Sequence, residues 1–312
     1  MNRSNTYIGL REHWLLYLLL TAIIGCETTR SVHRNPDSPN KQLLLACQDP
    51  KTTPEEISAL LISGADVNVR DKDGWTPLLY AANKISNPEF LTTLLNAGAD
   101  VEVRMNAGRT PMMYAARNNY NVEATRILLN AGADIKARDD NGWTPLLYAA
   151  RQNRNPDVVA ELLKAGSDIG ARSADGLSSL MNAGRKSFRP KIISHLLKAG
   201  ADVNAADENG WTALMFAVRY KSNPGIVSAL LEGGPDLELR DKKDGWTALM
   251  HAAGNSSKEE ISAPEVISAL LQAGADTKTT DRDGRTALDI AKVNEKIYQT
   301  SGYWDLNDAT YK

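Results

Sequence analysis

The chain of 312 residues has few of the side chains on which most catalytic and metal sites depend, with only two cysteines and four histidines. None of them lies at the spacing of a metal site or beside a candidate nucleophile. The formal net charge of -2 provides no basic excess of the kind that draws a protein to nucleic acid. We therefore expect no catalytic residue, no cofactor, no metal and no nucleic-acid partner.

Long hydrophobic runs are also missing, because the longest uncharged apolar stretch, Trp14 to Ile24, is too short to cross a bilayer. It is preceded by the basic residues Arg3 and Arg11 and followed by Gly25. A basic start, an apolar run of this size and a small residue are typical of a secretory signal peptide. The sequence therefore predicts a signal peptide over residues 1–25.

The residues that end this run read Ile-Ile-Gly-Cys at positions 23–26, which resembles the lipobox of bacterial lipoproteins. The resemblance implies cleavage before Cys26 and acylation of that residue, and hence a lipid anchor on the periplasmic side of a bacterial cell envelope. Related lipoproteins with aspartate directly after the lipidated cysteine tend to stay in the inner membrane. This chain has Glu27 at that position, so the resemblance favours the outer membrane. The polar residues 26–38 are predicted to be a flexible tether. An ordinary signal peptide with a coincidental cysteine, or a cytosolic protein, stays open as an alternative.

Two short phrases recur in step along the rest of the chain. The glycine of "DGWTPLLYAA" returns at intervals of 34, 34, 34, 34, 35 and 39 residues: Gly74, Gly108, Gly142, Gly176, Gly210, Gly245 and Gly284. The glycine of "GAD" keeps the same register, each time with aspartate two residues later: Gly64, Gly98, Gly132, Gly166, Gly200, Gly234 and Gly274. Periods in this range indicate a repeat solenoid.

The repeated unit resembles that of the ankyrin repeat family, whose units carry a "TPLHxA" element and a "GAD" turn. Here the element reads "TPLLYAA", "TPMMYAA", "SSLMNAG", "TALMFAV", "TALMHAA" and "TALDIAK". The resemblance implies an all-α solenoid over residues 39–312, with about seven full repeats and a partial C-terminal cap. Each repeat would contain two helices and an extended finger, and the array would bind a partner on its concave face.

The unit itself has a physical explanation. Thr76 is a good N-cap and Pro77 suits the first helical position, so the first helix is predicted to begin there. Ala82 provides a small residue where two helices pack closely. A second helix is predicted to end at Gly98 in the left-handed conformation. The finger that follows, including Val103, is predicted to be extended.

Both ends of the array need covering, because an exposed end of a solenoid is apolar. At the start, Cys47 falls in the small-residue position and is predicted to be a buried thiol rather than a nucleophile. At the end, four apolar residues are predicted to close the last core face: Ile297, Tyr303, Trp304 and Leu306.

The position after each turn glycine is the candidate binding site, and we call its residues the turn row: Trp75, Arg109, Trp143, Leu177, Trp211, Trp246 and Arg285. By the family resemblance, this position lies on the concave side at the base of each finger. Tryptophan and arginine are enriched in binding hot spots. Packing between neighbouring repeats is the alternative role for the turn row.

A second set of mostly aromatic residues, the aromatic row, follows within the first helix and is more typical of the core between repeats: Tyr80, Tyr114, Tyr148, Phe216 and His251. The histidines His33, His195 and His251 have no catalytic partner in sequence. The sequence thus predicts a non-enzymatic, monomeric, lipid-anchored protein that binds an unidentified protein partner. A glycan- or peptidoglycan-binding protein that stacks sugars on the spaced tryptophans is the alternative.

Overall fold

Capping residues at regular intervals divide the chain into short helices. In the computed structural model, Thr76 Oγ1 accepts a hydrogen bond from the N–H of Leu79 at 3.3 Å, which caps the helix that begins at Pro77. The structure describes residues 38–84, 87–187, 189–220, 223–255 and 263–311. The predicted signal peptide, Cys26 and nearly all of the tether lie outside the described residues.

The described residues form sixteen α-helices in eight pairs, with isolated backbone bridges but no strand. The first helices of the pairs, here called A helices, are α1 Pro39–Ala46, α3 Pro77–Lys84, α5 Pro111–Asn118, α7 Pro145–Gln152, α9 Ser179–Lys186, α11 Ala213–Tyr220, α13 Ala248–Ala253 and α15 Ala287–Lys292. The second, or B helices, are α2 Pro54–Ile62, α4 Glu89–Asn96, α6 Val122–Asn130, α8 Pro156–Lys164, α10 Pro190–Lys198, α12 Pro224–Leu231, α14 Ala263–Gln272 and α16 Ser301–Tyr311.

Contacts between these helices follow the order of the repeats in the unit Pro39–Lys312. Each B helix packs against the next B helix, and from α3 onward each A helix packs against the next A helix. One apolar core runs through the array, from Leu43 in α1 to Leu306 in α16. Ala81 and Ala82 are fully buried in it, which confirms that small residues allow the A helices to approach closely. The predicted all-helical repeat solenoid is confirmed.

The fingers differ from the extended segments that we predicted, because each begins with a turn. Asp100 Oδ1 accepts the N–H of Glu102 at 2.9 Å, and the N–H of Val103 donates to Asp100 O at 3.2 Å. Gly98 precedes this turn with a φ of +90°, which glycine adopts without strain. The aspartate side chain thus competes successfully with an extended backbone.

A ladder of exposed arginines joins successive fingers. Arg104 Nη1 donates to Gly108 O at 3.0 Å within its own finger and to Arg138 O at 2.9 Å in the next. Arg138 Nη1 repeats the arrangement toward Arg172 O at 2.8 Å. Each guanidinium thereby satisfies backbone carbonyls of two neighbouring repeats.

The two ends of the array were predicted with one error. Cys47 is 1% exposed, which confirms a buried thiol, and burial raises its pKa to about 12. Ile297, Tyr303 and Leu306 are buried as predicted, but Trp304 is 52% exposed. The reason is helical geometry, since Tyr303 and Leu306 share one face of α16 while Trp304, one residue after Tyr303, points away from it.

In the part of the chain that the structure describes, no helix is both long enough and apolar enough to cross a membrane.

Candidate partner-binding surface

The turn row is held in place by the hairpin turn that precedes each A helix. In the second repeat, the N–H of Asp71 donates to Trp75 O at 3.0 Å, and Gly74 adopts a φ of +86° between them. Asp71 Oδ1 accepts the N–H groups of Asp73 and Trp75, each at 2.9 Å. The turn therefore fixes the backbone of the turn-row residue before its side chain makes any contact.

The same aspartate also connects the turn to the A helix through its second oxygen. The hydroxyl of Tyr80 donates to Asp71 Oδ2 at 2.5 Å, and that of Tyr148 donates to Asp139 Oδ2 at 2.6 Å. Burial, followed by the hydrogen bond to Asp139, raises the pKa of Tyr148 to about 12. Burial acts to raise the pKa of Asp71 as well, but the hydrogen bonds that it accepts outweigh burial and lower it. Both carboxylates therefore join a turn to the A helix that follows it.

Two tryptophans of the turn row are half-buried between repeats. The ring of Trp75 stacks on Tyr80 of its own repeat, with centroids 4.9 Å apart, and lies 4.9 Å from Tyr114 of the next. Trp211 lies 4.4 Å from His251 of the following repeat. Pairs of rings at this separation stabilise a contact beyond the area they bury. Trp75 and Trp211 therefore join repeats while keeping part of their surface accessible.

Other members of the turn row differ in exposure. Trp143 is 9% exposed and Leu177 is 3% exposed, so both side chains lie mainly in the core. Arg109 is partly exposed and its Nε donates to Tyr148 Oη at 3.0 Å. Arg285 is more exposed and forms an ion pair with Asp281 at 2.8 Å. The accessible part of the turn row thus consists of Trp75, Arg109, Trp211, Trp246 and Arg285.

A pocket lies at the C-terminal end of the turn row, where Trp246 and Arg285 meet the end of α15. Its volume is about 410 Å³, and its other lining residues include Gly254, Ile290 and Val293. Trp246 Nε1 donates to Asp281 Oδ2 at 3.1 Å, which fixes the ring at the edge of the pocket. Val293 is 81% exposed. The lining is completed by Asn294, Glu295 and Lys296, so the pocket combines an indole, apolar side chains and charged groups.

The aromatic row occupies the interior of the surface, because Tyr114, Tyr148, Phe216 and His251 are buried. His251 Nε2 lies 2.8 Å from Asp241 Oδ2, in the place where Tyr148 contacts Asp139. Burial lowers the pKa of His251, although Asp241 acts in the opposite direction. We infer that His251 is neutral at pH 7 and completes the packing of its repeat.

One feature of this surface was missed in the sequence. A further row, the arginine row, recurs at 34-residue intervals near the end of four A helices: Arg117, Arg151, Arg185 and Arg219. Arg151 Cζ lies 5.0 Å from the centroid of the Trp143 ring, and Arg185 Cζ lies 5.2 Å from that of Tyr220. The period itself was the available signal, since arginine follows the small residues in "AARN", "AARQ", "AGRK" and "AVRY".

The described part of the surface does not gather metal-ligating side chains into one place. Among the described residues, no group of three or more histidine, cysteine, aspartate or glutamate side chains is arranged to hold a metal ion. The seven "GAD" aspartates instead accept the backbone N–H two residues later: Asp66, Asp100, Asp134, Asp168, Asp202, Asp236 and Asp276. These carboxylates therefore close turns.

Comparison with known proteins agrees with this architecture. The family model described as "Ankyrin repeats (3 copies)" matches six overlapping stretches: residues 17–105, 43–139, 84–173, 149–241, 180–281 and 221–299. No curated protein matches the chain. The family matches span most of the sequence and together include the helix pairs up to α15 and the glycine turns. The chain belongs to the ankyrin repeat family.

Proposed function

We propose that this protein binds another protein through the accessible part of the turn row and has no enzymatic activity of its own. Ankyrin repeats are generally protein-interaction modules, and the family is generally non-enzymatic. The observation that carries the proposal is the pocket of about 410 Å³ in which Trp246 and Arg285 stand beside exposed Val293. Such a pocket can receive an anchoring side chain of a partner.

The rest of the accessible turn row supports the same surface. Trp75, Arg109 and Trp211 follow their turn glycines as Trp246 and Arg285 do, so the same position recurs along the array. Their rings and guanidinium groups are already ordered by contacts with the aromatic row. Side chains that are ordered before binding lose less entropy when a partner arrives.

We further propose that the protein is a monomer anchored to the periplasmic side of a bacterial envelope by lipid on Cys26, with the outer membrane favoured. The support is the apolar run that ends in Ile-Ile-Gly-Cys at residues 23–26, followed by Glu27. Replacing Cys26 by serine should release the protein from the membrane fraction of cells. Unchanged fractionation would contradict the anchor without affecting the proposed binding surface.

Crosslinking and capture from intact cells tests the binding surface. The variant Trp246→Leu/Arg285→Gln removes the indole and the charge while keeping an apolar side chain against the core. A control that exchanges the same residue types elsewhere is Trp304→Leu/Arg126→Gln, on the B helices α16 and α6. We expect one protein to be captured by the native chain and the control and to be lost from the first variant, after all three are shown to fold.

Two outcomes would contradict this assignment. Equal capture by all three chains would place the partner elsewhere. Recovery of cell-wall material that survives removal of protein would favour the glycan- or peptidoglycan-binding alternative.

A further inference from the structure

The arginine row has no acidic counterpart of its own. Among the described residues, no ion pair joins Arg117, Arg151, Arg185 or Arg219 to a carboxylate. Arg117 Nε instead donates to Gln152 Oε1. In the same described part of the chain, the buried Nε atoms of Arg151 and Arg185 have no hydrogen-bond partner. A buried guanidinium N–H without an acceptor costs free energy, so the protein itself does not compensate these two charges fully.

These arginines are also close enough to repel one another. Burial lowers the pKa of Arg151, and the charges of Arg185 and Arg117 lower it further, against the opposing effect of Asp175. An anion placed between the guanidinium groups would relieve this repulsion. Contacts with the rings of Trp143 and Tyr220 hold Arg151 and Arg185 in position.

A pocket opens beside the row, between the ends of α7 and α9. Its volume is about 200 Å³, and its lining contains four cations and no carboxylate: Arg151, Gln152, Asn153, Arg154, Lys186, Ser187 and Arg189. Cations in the last turn of a helix are favourable to the helix dipole, which explains Arg151 and Lys186 structurally. That explanation does not apply to Arg154 and Arg189, which are exposed and lie beyond the helix ends.

The size and charge of this pocket indicate the kind of ligand. Pockets for small molecules typically occupy about 300 to 1,000 Å³, so a volume of about 200 Å³ suits a single side chain better. The formal charge of the whole chain is -2, so the chain has no general basic excess with which to hold a long polyanion. A short segment with spaced carboxylates needs only the local cations and can form paired hydrogen bonds with each guanidinium.

We propose that the arginine row and the adjoining pocket bind an extended acidic segment of a partner protein, with one carboxylate side chain entering between Arg151, Arg154, Lys186 and Arg189. The inference rests on the proposed function, since it names the chemistry of the partner that this protein binds. It adds a second contact region, separate from the pocket at Trp246.

Fluorescence anisotropy with a labelled peptide of alternating glutamate and serine tests the proposal on the full chain in detergent micelles. We expect the native protein to bind the peptide and to lose affinity as salt increases. A peptide of alternating lysine and serine should not bind. The variant Arg154→Gln/Arg189→Gln should weaken binding about tenfold, since each lost charge removes a charge-assisted hydrogen bond.

The matched control is Lys164→Gln/Lys198→Gln, which removes two charges from the B helices of the same two repeats. We expect it to change the affinity by less than about twofold. A third variant, Arg151→Gln/Arg185→Gln, should weaken binding at least as much as the first. Arg151 and Arg185 also pack on aromatic rings, so this third variant could fail to fold. In that case the variant Arg154→Gln/Arg189→Gln, which changes exposed residues, still decides the test.

Three results would overturn the inference. They are no binding of the acidic peptide, equal weakening in the lysine control, and tighter binding of a single-stranded oligonucleotide with the same dependence on Arg154 and Arg189. The first two leave the proposed function intact if cellular capture still depends on Trp246 and Arg285. If the acidic peptide binds but cellular capture does not depend on Trp246 and Arg285, only the proposed binding surface at Trp246 is contradicted.

Discussion

The fourth and fifth repeats share a backbone turn but hold it with different side chains. In the fourth, Asp139 Oδ1 accepts the N–H of Trp143 at 2.8 Å while Asp139 Oδ2 accepts the hydroxyl of Tyr148 at 2.6 Å. In the fifth, Ser173 occupies the aspartate position, and its hydroxyl accepts the N–H of Leu177 at 3.2 Å. One carboxylate therefore joins turn and helix in the fourth repeat, whereas a hydroxyl holds only the turn in the fifth.

The A helix of the fifth repeat, α9, also lacks the tyrosine that would bind a turn aspartate. Asn182 replaces the tyrosine and its Nδ2 donates to Ser178 O within its own helix at 3.1 Å. Its buried Oδ1 accepts no hydrogen bond from the described residues. Yet Gly142 and Gly176 have similar φ values, +72° and +77°. The glycine and the backbone hydrogen bonds thus determine the turn, and the link to the helix is a separate contribution that the fifth repeat lacks.

Replacing Asp139 by alanine should reduce the stability of the protein more than any other change considered below. It leaves the N–H groups of Asn141 and Trp143 and the hydroxyl of Tyr148 without their acceptor, at a cost of about 3 kcal/mol or more of unfolding free energy. Ser173→Ala should cost about 1 kcal/mol, because it removes a weaker hydroxyl acceptor. Urea denaturation of the two variants measures the difference. Equal losses would show that the carboxylate contributes nothing beyond the turn.

Replacing Gly184 by alanine should give the next largest loss of stability. Helix propensity alone would predict a gain, because alanine favours helix more than glycine does. The small-residue position is Ala150 in the fourth repeat and Gly184 in the fifth. An added Cβ at Gly184 would lie 2.5 Å from Ala213 O, so neighbouring helices must shift, at a cost of about 1 to 3 kcal/mol.

Ala150→Gly is the reciprocal variant and should destabilise by about 1 kcal/mol through helix propensity, with a further loss from the buried methyl group that it removes. Thermal denaturation checks both variants. A more stable Gly184→Ala protein would contradict the close approach of α9 and α11.

Acidification should reduce the stability of the seventh repeat, which has a buried histidine where the fourth has a tyrosine. His251 takes the place of tyrosine beside Asp241. Burial lowers the pKa of His251, and the charge of Arg219 lowers it further. The charges of Asp241 and Asp244 oppose this shift without reversing it. Because the folded-state pKa lies below the unfolded value, the stability from neutral His251 is present above about pH 6.5. It is lost as the pH falls toward the folded-state pKa.

The variant His251→Tyr restores the pairing of the fourth repeat and should make the melting temperature less dependent on pH between 7 and 5. His195→Gln measures how much a second histidine contributes to the pH dependence, because burial lowers the pKa of His195 in α10 as well. An unchanged pH profile in His251→Tyr would show that other groups cause the acid sensitivity.

Arg109→Gln should have the smallest effect on stability, about 0.5 kcal/mol, since its contact with Tyr148 is partly exposed. Its effect on partner capture should be larger if the accessible turn row binds the partner. Arg126→Gln removes an exposed ion pair with Glu161 on the B helices and provides a control of similar stability. Equal capture by both variants would assign Arg109 to packing alone.

Much of the fold could be predicted because it depends on contacts between residues close in the chain. Thr76 and Pro77 begin a helix, Gly98 ends one, and Asp100 closes a turn through groups only a few residues away. The regular period then multiplies each of these local signals. The exposure of Trp304 was mispredicted because apolarity alone does not say which face of a helix meets the core.

The candidate site was less predictable, because equivalent positions in different repeats have different neighbours. Trp143 and Trp246 both follow a turn glycine, yet one lies in the core and the other lines a pocket. The neighbours differ, because Arg151 of its own repeat lies over Trp143, whereas the end of α15 in the next repeat lies beside Trp246. Repetition in sequence predicts the positions but not their exposure.

The sequence by itself determined the repeat, its helix caps and its glycine turns, because backbone conformation and capping act within a few residues. The tertiary structure decided which turn-row side chains are accessible and where Arg151, Arg154, Lys186 and Arg189 meet. Those arrangements depend on how repeats stack, since the residues that share a pocket come from adjacent units about 34 positions apart.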